Sequence, residues 1–95
     1  MENKERKAVR AQREQLLTLV NGWDPIGLLV AGAPRSEYDF VIDKLLGLLS
    51  RNATEEEIAR FLEREIAGHF GTAPTGAGPF AKKAVAWFQM TSSQQ

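Results

Sequence analysis

The sequence predicts an all-α protein: a small four-helix bundle-like domain with a short helical turn and an irregular corner between helices 1 and 2. Three observations predict it: apolar residues recur at helical spacing in four segments, turn residues separate these segments, and no useful stretch alternates in the manner of a strand. A chain of 95 residues forms one domain. We assign residues 1–91 to it, with residues 1–8 frayed and residues 92–95 as a disordered tail.

Helix 1 is predicted over about residues 5–20, a segment rich in strong helix formers. Its apolar stripe consists of Val9, Leu16, Leu17 and Val20. The dipeptide that follows, Asn21-Gly22, tolerates the left-handed conformation in which helices end. We therefore expect the helix to stop there.

The corner is the stretch GWDPIGLLVAGAPRSEYD, residues 22–39. Asp24 followed by Pro25 is typical of a helix N-cap with proline in the first helical position. A short apolar turn would follow and end at Gly32, whose backbone freedom suits a stop. On this interpretation Trp23 is an anchor that packs against the helices.

Helix 2 is predicted to start near Ser36, which forms an imperfect capping box with Asp39 three residues later. The apolar residues after it lie three or four positions apart, which is typical of a helix that buries one face. They are Tyr38, Val41, Ile42, Leu45, Leu46 and Leu49.

Helices 3 and 4 have clear boundary signals. Thr54 and Glu57 form a capping box that predicts a helix over about residues 54–69, with Gly71 as its stop. Pro79 fits the first turn of a last helix. The apolar face of that helix would be Phe80, Ala84, Trp87 and Phe88.

Composition limits the function classes. Because the chain has no cysteine, disulfides and thiolate chemistry are excluded, which agrees with a cytoplasmic location. No apolar run approaches the roughly 20 residues that a membrane-spanning helix needs, so we expect no membrane contact. The net charge is zero, but the acidic middle of the chain lies between mildly basic ends. A protein that binds nucleic acid needs a concentrated basic face, which this charge distribution does not predict. Nucleic acid is therefore disfavoured as a partner.

The residues favour a non-catalytic protein that binds another protein, as an adaptor, an inhibitor or an immunity-type partner. No cofactor, metal or catalytic residue is predicted, and the oligomeric state is left open. The end of the corner that contains the sequence EYD, residues 37–39, is expected to lie exposed beside a rigid turn. The candidate partner surface comprises Trp23, Asp24, Arg35, Glu37, Tyr38 and Asp39.

Two alternative functions stay open. The first is a small metal- or ligand-dependent enzyme using the carboxylates of Asp24, Glu37 and Asp39, or using His69, which lies one helical turn after Glu65. Nothing in the spacing makes those carboxylates converge. The second alternative is nucleic-acid binding through the basic N-terminal helix, although its interspersed glutamates favour an ordinary solvated face.

Four motifs together resemble a family of small bacterial helical proteins grouped as a domain of unknown function. They are WDPIGL at residues 23–28, GAP at 32–34, EYD at 37–39 and HFG at 69–71. The resemblance covers residues 16–71 and implies an all-α fold and a bacterial cytosolic origin, but no activity. Ser36 stands where the family has an acidic residue, and the C-terminal helix has no counterpart in the family pattern.

Overall fold

The protein is all-α in its computed structural model, which describes residues 4–92 and the side chains of residues 7–91. Four α-helices occur in that range: α1 (Lys4–Trp23), α2 (Ile42–Ser50), α3 (Glu55–Phe70) and α4 (Ala77–Ser92). A 3₁₀ turn, Asp39–Val41, leads directly into α2. The predicted fold class is therefore confirmed. No helix of the described range is long and apolar enough to cross a bilayer.

Helix α1 runs three residues past Val20, its predicted last residue. Residues 21 and 22 are helical, and the left-handed residue is Asp24, at φ 47°. The backbone N–H of Asp24 still donates to the Val20 carbonyl at 2.9 Å, which closes the last turn. The prediction of a stop at Asn21-Gly22 is therefore wrong. Trp23 is the last residue of α1, and its ring packs against α4.

Helix α2 starts six residues later than predicted. The segment from Arg35 to Tyr38 forms turns, and Val41 is the N-cap of the helix. Ser36 is no cap; its backbone carbonyl accepts the Asp39 N–H at 3.1 Å within a turn. The predicted burial is nevertheless confirmed. The six apolar residues of that pattern are all buried: Tyr38, Val41, Ile42, Leu45, Leu46 and Leu49.

Helix α3 matches its prediction within one residue at each end. Thr54 and Glu57 form the complete capping box, since each side chain accepts the other residue's backbone N–H. Gly71 ends the helix in the left-handed conformation, at φ 74°. Its buried face consists of Ile58, Phe61, Leu62 and Ile66.

Helix α4 lies antiparallel to α1. At one end the ring of Trp23 stacks on Phe80 with centroids 4.5 Å apart, and further along the Trp87 indole N–H donates to the Gln15 side chain at 3.1 Å. The predicted Pro79 lies in the first turn of α4, as expected. This helix extends through Ser92, while the rest of the predicted tail and residues 1–3 of the predicted frayed start lie outside the described residues.

The core lies between the four helices, and the corner closes one end of it. Buried residues from every helix and from the 3₁₀ turn form one apolar cluster. Ile26, Leu28 and Leu29 of the corner pack on this cluster as partly buried residues. The corner is thus anchored to the bundle through apolar contacts as well as through its ends.

Candidate functional site

The carboxylate of Asp24 organises the corner. Its Oδ1 accepts the Tyr38 hydroxyl at 2.7 Å and the Leu29 backbone N–H at 3.0 Å. Its Oδ2 accepts the Val30 backbone N–H at 3.0 Å. Hydrogen bonds to a charged acceptor are stronger than neutral ones, so a single side chain fixes the backbone of a loop five and six residues further along the chain.

The role of Asp24 differs from the predicted N-cap. An N-cap has an extended backbone and caps the second or third residue after it, whereas Asp24 is left-handed and its carboxylate reaches further. Its carbonyl accepts the Gly27 N–H at 3.0 Å, which forms a turn around Pro25 and Ile26. The predicted stop at Gly32 is confirmed: this residue has φ 99°, and its N–H donates to the Leu29 carbonyl.

Tyr38 is fully buried, with 0% exposure, as its place in the helical pattern predicted, so the competing expectation that it belongs to an exposed partner surface is wrong. Its ring meets Phe70 edge-on at 5.9 Å, and its hydroxyl points to Asp24. The same hydroxyl oxygen lies 3.4 Å from the Leu28 N–H and 3.5 Å from the Ile26 N–H, at the long limit of hydrogen bonding. Tyr38 was misplaced because a residue 14 positions away satisfies its hydroxyl inside the protein.

The Asp24–Tyr38 pair favours one protonation state. Burial alone would raise the pKa of Asp24, but hydrogen bonds from Tyr38, Leu29 and Val30 outweigh it and hold that pKa below its ordinary value. Burial, together with the hydrogen bond to Asp24, raises the pKa of Tyr38. At neutral pH the pair is therefore an ionised acceptor and a neutral donor.

Trp23 supports the corner from the α1 side. Its indole N–H donates to the Thr75 carbonyl at 2.7 Å, and its ring stacks on Phe80. The loop before α4 is held to the corner a second time, because the Thr75 N–H donates to the Pro25 carbonyl at 3.2 Å. Trp23 is thus half-buried and acts as the predicted anchor.

The corner presents one large apolar side chain to solvent. Val30 is 88% exposed, although the backbone on which it sits is fixed by Asp24. Ala31, Gly32 and Pro34 follow it and are exposed as well. The sequence does not single out Val30, because Leu28 and Leu29 lie between the same two glycines and pack on the core.

The other predicted site residues lie at the base of the corner. Arg35 and Asp39 are exposed and Glu37 is partly buried. The backbone carbonyl of Arg35 accepts the Asn21 side-chain amide at 3.1 Å, which ties this base to α1. The structure therefore divides the six predicted residues: Trp23, Asp24 and Tyr38 bind within the protein, whereas Arg35, Glu37 and Asp39 remain accessible.

The carboxylates proposed for an enzyme do not assemble. Among residues with described side chains, no group of three or more His, Cys, Asp or Glu could hold a metal ion. Both oxygens of Asp24 already accept hydrogen bonds from the corner. His69 stacks on Phe40 with centroids 4.0 Å apart, and Glu65 lies 3.3 Å from the Lys44 ammonium.

The basic residues of α1 do not form one continuous basic surface. Arg13 forms a two-point pair with Asp43 of α2, at 2.6 and 3.3 Å, and so links the two helices. Lys7 and Arg10 share an exposed surface with Glu14. This surface has mixed charge, as the sequence predicted for a solvated helix face.

Comparison with known proteins does not assign this chain to a family. No family model, curated protein or solved structure matches this chain. The resemblance to a bacterial domain of unknown function therefore stays a prediction.

Proposed function

We propose that this protein is a non-catalytic helical module that binds another protein through the corner between α1 and α2. The observation that supports this is Val30, a large apolar side chain 88% exposed on a backbone tied to Asp24. Complete burial of a valine side chain contributes roughly 1.5–3 kcal/mol. A partner with an apolar pocket would gain this free energy on contact.

The hydrogen bonds within the corner are the second support for binding. A flexible loop loses conformational entropy when it binds, and this loss subtracts from affinity. Here the Asp24 carboxylate has already fixed the amides of Leu29 and Val30 before a partner arrives. Asp24, Tyr38 and Trp23 are therefore positioning residues in this proposal.

Direct contacts to the partner come from the accessible residues. Arg35 and Asp39 carry opposite charges at the base of the corner, and both are exposed. A polar rim around an apolar centre is the usual composition of a non-obligate protein interface. We infer a partner surface with an apolar pocket and with charged groups of both signs at its edge.

The same proposal includes an adaptor, inhibitor or immunity-type role in the bacterial cytoplasm. The support for this location is the cysteine-free composition, which suits a reducing compartment, together with the family resemblance.

The test is affinity capture from the source organism with the wild-type chain and with Val30→Asp. We expect retention of the specific partner to fall at least tenfold with Val30→Asp, since a buried carboxylate costs more than 1.4 kcal/mol. Val9→Asp is the matched control, because Val9 is also exposed, at 50%, but lies on α1. Equal retention by both variants, or capture of no specific partner by the wild type, would contradict the proposal.

A further inference from the structure

A shallow groove between α2 and α3 has no role in the corner. It is lined by Lys44, Gly47, Leu48 and Arg51 of the α2 region and by Phe61 of α3. Lys44, Gly47 and Leu48 lie three and four residues apart on one face of α2, and Arg51, the C-cap residue, follows four residues after Gly47. Leu48 is partly buried and Phe61 is almost wholly buried. The centre of the groove is apolar, and both of its ends carry a cation.

Gly47 lies in the interior of α2 and leaves this groove open. A glycine inside a helix destabilises it by roughly 0.5–1 kcal/mol relative to alanine. The backbone of Gly47 does not have a positive φ, and an added Cβ would meet no atom within 4 Å. The described chain therefore makes no contact that requires glycine at this position, and the space above it is open.

The charges at the groove ends restrict what can approach. Lys44 and Arg51 are seven residues apart, which is two helical turns or about 10 Å along the axis. Lys44 is 68% exposed even though Glu65 lies 3.3 Å away. Arg51 is exposed and forms no ion pair with the described side chains. The groove therefore fits an apolar segment with a carboxylate at each end.

We propose that this groove binds an amphipathic helix of another protein, with two carboxylates two turns apart. Its apolar stripe covers Leu48 and Phe61, and a small residue faces Gly47, which lets the two helix axes come close. The carboxylates pair with Lys44 and Arg51. A helix fits this spacing because its own residues at i and i+7 also lie about 10 Å apart on one face. The proposal is independent of the corner.

The test uses a displayed library of 16-residue helical peptides. Each peptide has an apolar stripe with randomised aliphatic residues, alanine at its centre, and Glu or Lys at two flanking positions seven residues apart. Selection is made on the immobilised full chain, and the enriched peptides are measured by fluorescence anisotropy. We expect enrichment of peptides with Glu at both flanks, and at least tenfold weaker binding when both are Lys.

Matched variants locate the binding site. Gly47→Leu fills the groove and should abolish binding, whereas Gly68→Leu changes an exposed glycine of α3 that also has open space around it. Both substitutions replace a helical glycine by the same residue with higher helix propensity, so neither is expected to break its helix. Arg51→Glu should weaken the doubly acidic peptide at least tenfold and improve binding of a peptide with Lys at the facing end.

Four outcomes would overturn the inference. Three of these are failure to enrich any peptide, undiminished binding to Gly47→Leu, and enrichment without preference for acidic flanks. A fourth is a wild-type dimer in sedimentation equilibrium that Gly47→Leu dissociates, since the occupant would then be a second copy of this chain. Val30→Asp should bind the selected peptides normally, so this test and the test of the corner can fail separately.

Discussion

The corner and helix α3 are both held by side-chain hydrogen bonds to the backbone, but different interactions specify them. In α3 the boundary contacts join residues three or four positions apart: Thr54 with Glu57 at the start, and Gly71 with Ala67 at the end. In the corner the decisive contact joins Asp24 to Tyr38, which is 14 positions away. The boundaries of α3 can therefore be predicted from its local sequence, whereas the conformation of the corner depends on a contact between two side chains that are distant in sequence.

This difference predicts how each segment responds to substitution of the residues that hold it. Loss of a local cap frays one helix end, because the remaining turns keep their own hydrogen bonds and apolar contacts. Loss of the contact between Asp24 and Tyr38 releases a loop and also disturbs the core, since Tyr38 is buried beside Phe70. The corner should therefore be the more sensitive of the two.

The largest expected effect is that of Tyr38→Ala. Removing a buried aromatic ring leaves a cavity and costs about 3–5 kcal/mol of unfolding free energy. Urea denaturation followed by far-UV circular dichroism measures it. Tyr38→Phe is the control: it keeps the ring and loses only the hydroxyl, at a cost of about 1–2 kcal/mol. Equal losses for both variants would show that the ring packs less tightly than its burial indicates.

Thr54→Ala should have a smaller effect. It removes one half of the capping box of α3 and costs about 1 kcal/mol. Hydrogen exchange should increase at the Glu57 amide, which donates to the Thr54 hydroxyl, but should stay unchanged at Leu29 and Val30 in the corner. Faster exchange at these corner amides would contradict the view that the two segments are specified independently.

The smallest effect concerns pH and involves both regions. The folded pKa of Asp24 lies below its ordinary value of 3.8, and that of Glu57 lies below 4.5 because it accepts hydrogen bonds from Thr54. Each carboxylate therefore adds stability that is present above its ordinary pKa and is lost as the pH falls through its folded pKa. Tyr38 has the opposite sign: its raised pKa gives stability below pH 10 that is lost as the pH rises further.

Thermal melting between pH 2 and 7 measures the acid part of this dependence. Asp24→Asn should flatten it by removing the contribution of the corner, and Glu57→Gln should remove that of α3. Tyr38→Phe should remove the part of the alkaline loss of stability that Tyr38 causes above pH 10. An acid dependence that persists unchanged in the Asp24→Asn, Glu57→Gln double variant would refute this assignment.

The helices could be predicted because their signals are local and redundant. The capping box and the stop at Gly71 placed α3 within one residue at each end. The spacing from Tyr38 to Leu49 identified the buried residues correctly even though α2 begins only at Ile42. Turns and a 3₁₀ segment carry the chain around at nearly helical spacing, so the periodicity predicts burial better than it predicts where the helix starts.

For the corner, the sequence predicted only where helices and turns begin and end. The pattern placed Trp23 as an anchor and Gly32 as a stop, and both predictions are confirmed. It could not pair Asp24 with Tyr38, because no periodicity relates positions 14 apart across irregular backbone. Without that pair, the sequence places Tyr38 both in the buried pattern of helix 2 and on the candidate partner surface, and the exposure of Val30, which depends on where the pair fixes the loop, could not be predicted.

The Asp24 carboxylate has a consequence for engineering. It holds the loop through the backbone amides of Leu29 and Val30, and every residue except proline supplies such an amide. The side chains at positions 30 and 31 are exposed and take no part in this attachment. These two positions can be randomised while the scaffold stays constant, which makes the corner a natural graft site for new recognition sequences.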